Sequence, residues 1–259
     1  MKILKNKEKV KNFWMALSDG RSRRLLMLDY DGTLSPFVAE REKAIPYPGI
    51  GEILENIIKN KLNTVVIISG RNAIEVKDLL GLKVPVEIWG GHGTERLLTS
   101  GRLIQVPISE SSKEIFHQVE EWAQREGLGS SIEEKHGSLA FHVRGMKKQR
   151  AKRLLKEATE FFKSVSTNSS LEVDPFDGGV ELRTKGIDKG NVIKRLIRAF
   201  PSDGVFSYYG DDLTDEDAFS ALNGYGVSFL VRKELRPTKA DVWIIPPEEL
   251  KECLCKYIV

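Results

Sequence analysis

Leu25-Leu26-Met27-Leu28-Asp29-Tyr30-Asp31-Gly32-Thr33-Leu34 sets two carboxylates two residues apart where an apolar strand runs out. Four consecutive apolar residues read as a buried strand, and Gly32 supplies the permissive backbone for a sharp turn directly after it. Ligands and catalytic groups collect at strand carboxyl ends in open α/β sheets, so the position of the pair and its chemistry support each other. Asp29 and Asp31 repel one another and lose hydration in a cleft, which is unfavourable without a cation or a shared proton. Mg²⁺ answers that need, because it binds through one or two carboxylates and keeps positions open for water and a substrate phosphate. Asp29 is then a nucleophile that forms an aspartyl-phosphate, while Asp31 protonates the leaving alcohol and later activates water. An Asp-Gly turn that merely closes a strand accounts for Asp31-Gly32 but leaves Asp29 unexplained.

The chain has 259 residues, 41% of them apolar, enough for one large domain or two small ones with a packed core. With 40 basic and 37 acidic residues the formal net charge is +3, so no global electrostatic attraction to nucleic acid or membrane is expected. Arg21-Ser22-Arg23-Arg24 is the densest basic cluster and reads as a solvated entry to the first strand. No apolar run approaches a membrane span, and the first residues lack the apolar core of a signal peptide, so a cytoplasmic location is expected. Cys253 and Cys255 stand too close to staple a loop and lack zinc-site partners; they are expected to be reduced and structural.

Val10, Phe13, Trp14 and Leu17 recur at helical spacing before the first strand. Ile50 to about Lys61 reads as a helix, Thr64 to Ile68 as a second buried strand ending at Ser69-Gly70-Arg71, Ala73 to Leu80 as a helix, and Val86 to Trp89 as a third strand. This alternation predicts a Rossmann-like, doubly wound parallel sheet. From about residue 106 the rhythm becomes α+β, with a helix around Ile115 to Trp122, short strands near Ile132 and Leu139 to Val143, a long helix from Lys147 to Val165, and strands near 171–173 and 179–183. The reading is a core in two parts, 1–105 and 184–259, with a domain inserted at 106–183. The parallel sheet resumes at Val205 to Tyr209, which ends in Gly210-Asp211-Asp212, and continues through Val227 to Val231 and Val242 to Ile245.

Three further segments carry groups suited to phosphoryl transfer. Ser69 and Gly70 offer a hydroxyl and backbone N–H groups at a helix start, which suits a phosphate oxygen, although an ordinary Ser cap has the same sequence. Lys189 precedes a glycine at the mouth of a helix and can neutralise a nucleophile and a transferring phosphoryl group. Asp211, Asp212, Asp215, Glu216 and Asp217 follow a strand too densely to be buried together without a metal, and they also suit a helix N-terminus. Asp211 reads as the metal ligand, giving the set Asp29, Asp31 and Asp211, with Asp212 or Asp215 either holding the metal through water or orienting Lys189.

Asp29-x-Asp31-Gly-Thr, Ser69, Lys189-Gly190 and Gly210-Asp211-Asp212 resemble, in order and spacing, the four motifs of the haloacid dehalogenase superfamily of aspartate-nucleophile phosphatases. The resemblance implies that the insert is a type 2 cap, a lid that selects the substrate. Ile68-Ser69-Gly70-Arg71, Gly91-His92-Gly93-x-Glu95 and Gly210-Asp211-Asp212-x-Thr214-Asp215-Glu216 further resemble trehalose-6-phosphate phosphatases, as do Glu133-x-Lys135, His142-x-Arg144 and Glu181-x-Arg183 within the insert. That likeness implies hydrolysis of a sugar phosphate, trehalose 6-phosphate, to trehalose and phosphate, a Mg²⁺ cofactor, a functional link to a trehalose-6-phosphate synthase, and a substrate-binding set of Gly70, Arg71, His92, Glu133, Lys135, His142, Arg144 and Glu181. Without the family, Lys135 and Arg144 read as a solvated strand face and His142 as a satisfied strand histidine. Thr184 stands where the family often has proline, and His136 where it usually has glycine. Two rivals are a phosphatase for another phosphorylated disaccharide or glycosyl-glycerate, and a non-catalytic module that binds sugar phosphate.

Overall fold

The computed structural model describes residues 1–38, 40–176 and 178–258. In chain order the strands and α-helices are β1 (Lys2–Ile3), α1 (Lys7–Ser18), β2 (Arg24–Leu28), α2 (Ile50–Lys59), β3 (Asn63–Ile68), α3 (Ala73–Leu80), β4 (Glu87–Gly90), β5 (Glu95–Leu97) and β6 (Leu103–Gln105). There follow α4 (Glu110–Arg125), β7 (Ile132–Lys135), β8 (Ser138–His142), α5 (Lys148–Val165), β9 (Leu171–Phe176) and β10 (Gly179–Thr184). The last group is α6 (Lys189–Ala199), β11 (Val205–Gly210), α7 (Asp215–Leu222), β12 (Val227–Val231), β13 (Val242–Ile244) and α8 (Glu248–Cys255).

The chain divides into two compact units, Met1–Ile104 with Asp188–Val259, and Gln105–Ile187. The second unit runs four residues past the expected 183 because Thr184 N–H donates to Gly137 O at 3.1 Å and Lys185 N–H to Ser170 O at 2.8 Å, which ties the segment to the inserted sheet.

The first unit is built on a sheet of order β1-β13-β12-β11-β2-β3-β4-β5-β6. The run from β13 to β4 is parallel, and antiparallel pairing appears at β1 with β13 and at β4 with β5. Leu26 and Leu28 of β2 join Val65, Ile67 and Phe229 in a core with α1, α2, α3 and α8, while Leu25 and Met27 join Val66, Ile68 and Leu230 against α6 and α7. Burial on both faces explains why the strand sequences are apolar throughout rather than alternating. Each fully buried leucine stabilises by about 1.5–3 kcal/mol relative to exposure. From β2 the chain proceeds outward through β3 and β4, and from β11 it proceeds outward the other way. The switch point therefore lies between β2 and β11, and the crevice beyond their carboxyl ends is where such sheets bind ligands.

The inserted unit is an antiparallel sheet of order β7-β8-β10-β9. Phe116, Val119, Leu154, Ala158 and Phe162 of α4 and α5 pack with Leu139, Phe141, Val180 and Leu182. Strand alternation turns Glu133, Lys135, Ser138, His142 and Glu181 to the opposite face. Among the described residues no helix is long and apolar enough to cross a membrane. Cys253 is buried, Cys255 is exposed, and both are free.

Candidate active site

Asp29 leaves β2 with its N–H bonded to Tyr209 O of β11 at 2.9 Å, so the neighbouring strand fixes its backbone at the switch point. Its side chain is buried; Oδ1 accepts from Lys189 Nζ at 2.6 Å and Oδ2 from the Thr33 hydroxyl at 3.1 Å. Gly32 adopts φ +76°, and a Cβ there would run into the Asp211 carboxylate, so only glycine lets the two acidic loops approach this closely.

Asp215 is the hub. Its Oδ1 accepts from Lys189 Nζ at 2.7 Å and Tyr208 OH at 2.5 Å, and its Oδ2 accepts from the N–H groups of Asp211 and Asp212 at 2.9 Å each. Those four bonds use the full acceptor capacity of a carboxylate. Of the two roles open from sequence, Asp215 therefore holds Lys189; Asp212 contributes its N–H to Asp215 and is half-buried.

Ligand oxygens of Asp29, Asp211 and Asp215 lie within 4.8 Å of one another. Burial and, against it, Lys189, with repulsion from Asp215 and Asp31, leave the Asp29 carboxyl pushed up to about 7. Burial and the Asp29, Asp215 and Asp212 charges raise Asp211 well above the usual carboxylate range. Asp215 is different: burial pushes it up, but Lys189, Tyr208 and the backbone N–H of Asp212 hold it below its ordinary value. Lys189 is raised despite burial by the Asp215 and Asp29 charges. Two buried acids, Asp29 and Asp215, the half-buried Asp211 and one lysine leave an excess of negative charge on hard oxygen donors, a set that fits Mg²⁺. Since Asp215 is saturated, Asp29 and Asp211 are the oxygens left for the ion.

The proton linkage gives a test. Asp29 is raised to about 7, so the metal-free folded state holds a proton on it that the unfolded chain gives up between about pH 4 and 7, and stability falls as pH rises through that window; the raised Asp211 acts in the same direction. Mg²⁺ needs both groups ionised. The rise in melting temperature on adding Mg²⁺ is therefore expected to be larger at pH 8 than at pH 5; equal rises would contradict a site on these carboxylates.

Asp31 is set apart from the cluster. Arg71 grips it as a fork, Nε to Oδ2 and Nη2 to Oδ1 at 2.7 Å each, so in this structure both its oxygens face the guanidinium. Arg71 is in turn paired with Glu75 and stands over the Tyr30 ring at 5.8 Å. Ser69 Oγ accepts from Arg71 N–H at 3.1 Å, which leaves its hydroxyl proton available to a phosphate oxygen. His92, at φ 56°, donates its N–H to Ser69 O at 2.9 Å, and a Cβ at Gly70 would fall 2.6 Å from its Nε2. Glu95 accepts from Ala73 N–H at 2.9 Å and so caps α3.

On the inserted sheet His142 Nε2 and Glu133 Oε2 are 2.7 Å apart, and Lys135 Nζ stands 3.6 Å from Glu133 and 3.5 Å from Glu181. Ser138 donates to Glu181 Oε1 at 2.7 Å, a member of the cluster that its sequence did not betray. Arg144 lies exposed on the turn after β8, against Gly178, and His136 Nε2 meets Val106 O at 2.7 Å. Thr33 and Tyr208 join the site through their hydroxyls, and in the sequence only the spacing of Thr33, four residues after Asp29, points to either.

The doubly wound sheet, with an acid pair after β2, Ser69 after β3, the buried Lys189 at the start of α6 and a second acidic loop after β11, has the fold seen in haloacid dehalogenase-like hydrolases. A haloacid dehalogenase-like hydrolase from Bacteroides thetaiotaomicron has this fold, with a TM-score of 0.66 over 90% of this chain and 98% of that one at 15% identity. More specifically, residues 27–241 match the trehalose-phosphatase family model, and the chain belongs to that family. The fold is shared with the C-terminal domain of Candida albicans trehalose-6-phosphate phosphatase, with a TM-score of 0.81, 24% identity and coverage of 95% of this chain and 96% of that one. A trehalose-phosphatase of Saccharomyces cerevisiae is 30% identical over 254 residues, covering 85% of this chain and 27% of the relative. A bifunctional trehalose-6-phosphate synthase/phosphatase of Thermoproteus tenax is 29% identical over 198 residues, covering 76% and 27% respectively. The chain thus spans about a quarter of the length of these two curated relatives.

Proposed function

We propose that this chain hydrolyses trehalose 6-phosphate to trehalose and phosphate. The observation that carries the reading is the buried Lys189, hydrogen-bonded at once to Asp29 and Asp215 beside Asp211. Asp29 attacks phosphorus, forming an Asp29 oxygen–phosphorus bond as the bond to the sugar oxygen breaks, and Asp31 gives that oxygen its proton. Asp31 then takes a proton from water, whose oxygen displaces Asp29 and frees phosphate. Asp31 reaches this role once Arg71 releases it, and an arriving phosphate competes for the same guanidinium. Ser69 and Lys189 stabilise the phosphoryl oxygens. Mg²⁺, held by Asp29 and Asp211, supplies charge neutralisation when bound. As the family resemblance implies, Glu133, Lys135, His142, Arg144 and Glu181 of the inserted unit bind sugar hydroxyls, and Gly70, Arg71 and His92 of the first unit bind phosphate. The name of the Thermoproteus relative supports a functional link to a synthase, and two free cysteines accord with a cytoplasmic location.

The test is phosphate release from trehalose 6-phosphate beside glucose 6-phosphate, sucrose 6-phosphate and glucosylglycerate phosphate, with Mg²⁺ and with EDTA. Fast Mg²⁺-dependent release from the first alone is expected. Release from another substrate keeps the chemistry and discards trehalose, and none at all favours a binding module. In the same assay Lys135→Ala is expected to raise KM for trehalose 6-phosphate by about 10–100-fold, the loss of a charged hydrogen bond, while p-nitrophenyl phosphate hydrolysis is unchanged.

A further inference from the structure

Two arginines from the segment between β12 and β13 reach the backbone of the second acidic loop. Arg236 Nη2 donates to Asp212 O at 2.6 Å and Asp211 O at 3.3 Å, and Arg232 Nη1 donates to Asp211 O at 3.3 Å. Arg236 is itself seated, because its Nη1 pairs with Glu216, which also accepts from the Thr238 hydroxyl at 2.8 Å and Lys239 N–H at 2.7 Å. The Arg236 and Glu216 side chains are 15% and 17% exposed, so the pair is shielded from most of the solvent screening that weakens surface ion pairs. Asp211 is therefore pinned on both sides, its N–H by Asp215 and its carbonyl by the two arginines.

We propose that Arg236, with Arg232, is a positioning residue for the Mg²⁺ site, fixing the aim of the Asp211 carboxylate by holding the carbonyls of its loop. It acts through Asp211 and touches neither ion nor substrate. The inference rests on the Mg²⁺ reading above and is independent of which sugar is used. Charge alone predicts the opposite effect: a guanidinium near Asp211 repels a cation, so removing it would tighten binding. A brace predicts weaker binding, since outer-shell partners are typically worth about 10–100-fold in metal affinity.

Mg²⁺ titrated calorimetrically into the full chain without substrate separates the two. Arg236→Gln is expected to raise the dissociation constant about tenfold. Arg236→Lys keeps the charge and one donor and guards against misfolding of the first variant; it is expected to bind more weakly than the unaltered chain and more tightly than Arg236→Gln. A folded variant of either kind that binds Mg²⁺ as tightly as the unaltered chain, or tighter, overturns the brace. No binding by the unaltered chain would remove the metal reading and the brace with it.

Discussion

Asp29→Asn is expected to lower kcat by at least about 10⁴-fold while leaving the chain folded. Asparagine matches aspartate in shape, so the buried site keeps its packing, and the amide oxygen still accepts from Lys189 while the amide nitrogen faces the Thr33 hydroxyl. What is lost is attack on phosphorus, which an amide cannot perform, together with the negative charge that Asp29 offers to Mg²⁺. Stability discriminates a catalytic loss from a structural one. At pH 8 the Asp29 carboxylate is ionised and repelled by Asp215 and Asp31, so its neutralisation relieves repulsion at the expense of one charge contact with Lys189. At pH 5, below its folded-state value of about 7, Asp29 already carries a proton and the substitution changes little. The melting temperature of the metal-free variant is thus expected to match the unaltered chain at pH 5. Undiminished phosphate release from a folded Asp29→Asn chain would sink the mechanism.

The strands that build the site were legible because burial on both faces writes an unbroken apolar run, as in β2, β3, β11 and β12, and because each run ends at once in the polar group it positions. Asp29, Ser69 and Asp211 are all placed by that rule. Partnerships between loops were not legible, since Arg71 meets Asp31 across 40 residues and Lys189 meets Asp29 across 160, distances over which spacing carries no information. The competition between Asp212 and Asp215 needed the turn into α7, which aims one carboxylate back at two backbone N–H groups and across at Tyr208. The strands β1, β5 and β6, of two or three residues each, have no room for a period, and α8 shows only Leu250, Cys253 and Leu254 on its buried side. On the inserted sheet the alternation of Glu133 and Lys135 was readable; Ser138 joined them only through the register that sets it opposite Lys135.

Lys189→Met is the second large effect, and here activity and stability are expected to fall together. The Lys189 side chain is 3% exposed and its ammonium bridges Asp29 and Asp215, so a methionine of similar length fills its volume but leaves both carboxylates without their cation. Removing one partner of a buried ion pair typically destabilises by about 3–5 kcal/mol. Loss of the charge that stabilises the phosphoryl oxygens is expected to lower kcat by at least about 10²–10³-fold even where the protein is folded. The sign of the pH dependence follows from the partners. Without Lys189 the folded-state pKa of Asp29 moves further above its unfolded value, so the folded variant takes up a proton more readily and its stability is lost as pH rises through the neutral range. Chemical denaturation of the metal-free variant should therefore show a smaller deficit against the unaltered chain at pH 5 than at pH 8. A deficit that stays constant across that range would mean that Lys189 contributes packing rather than charge, and an unchanged kcat in the folded variant would remove it from the transferring phosphoryl group.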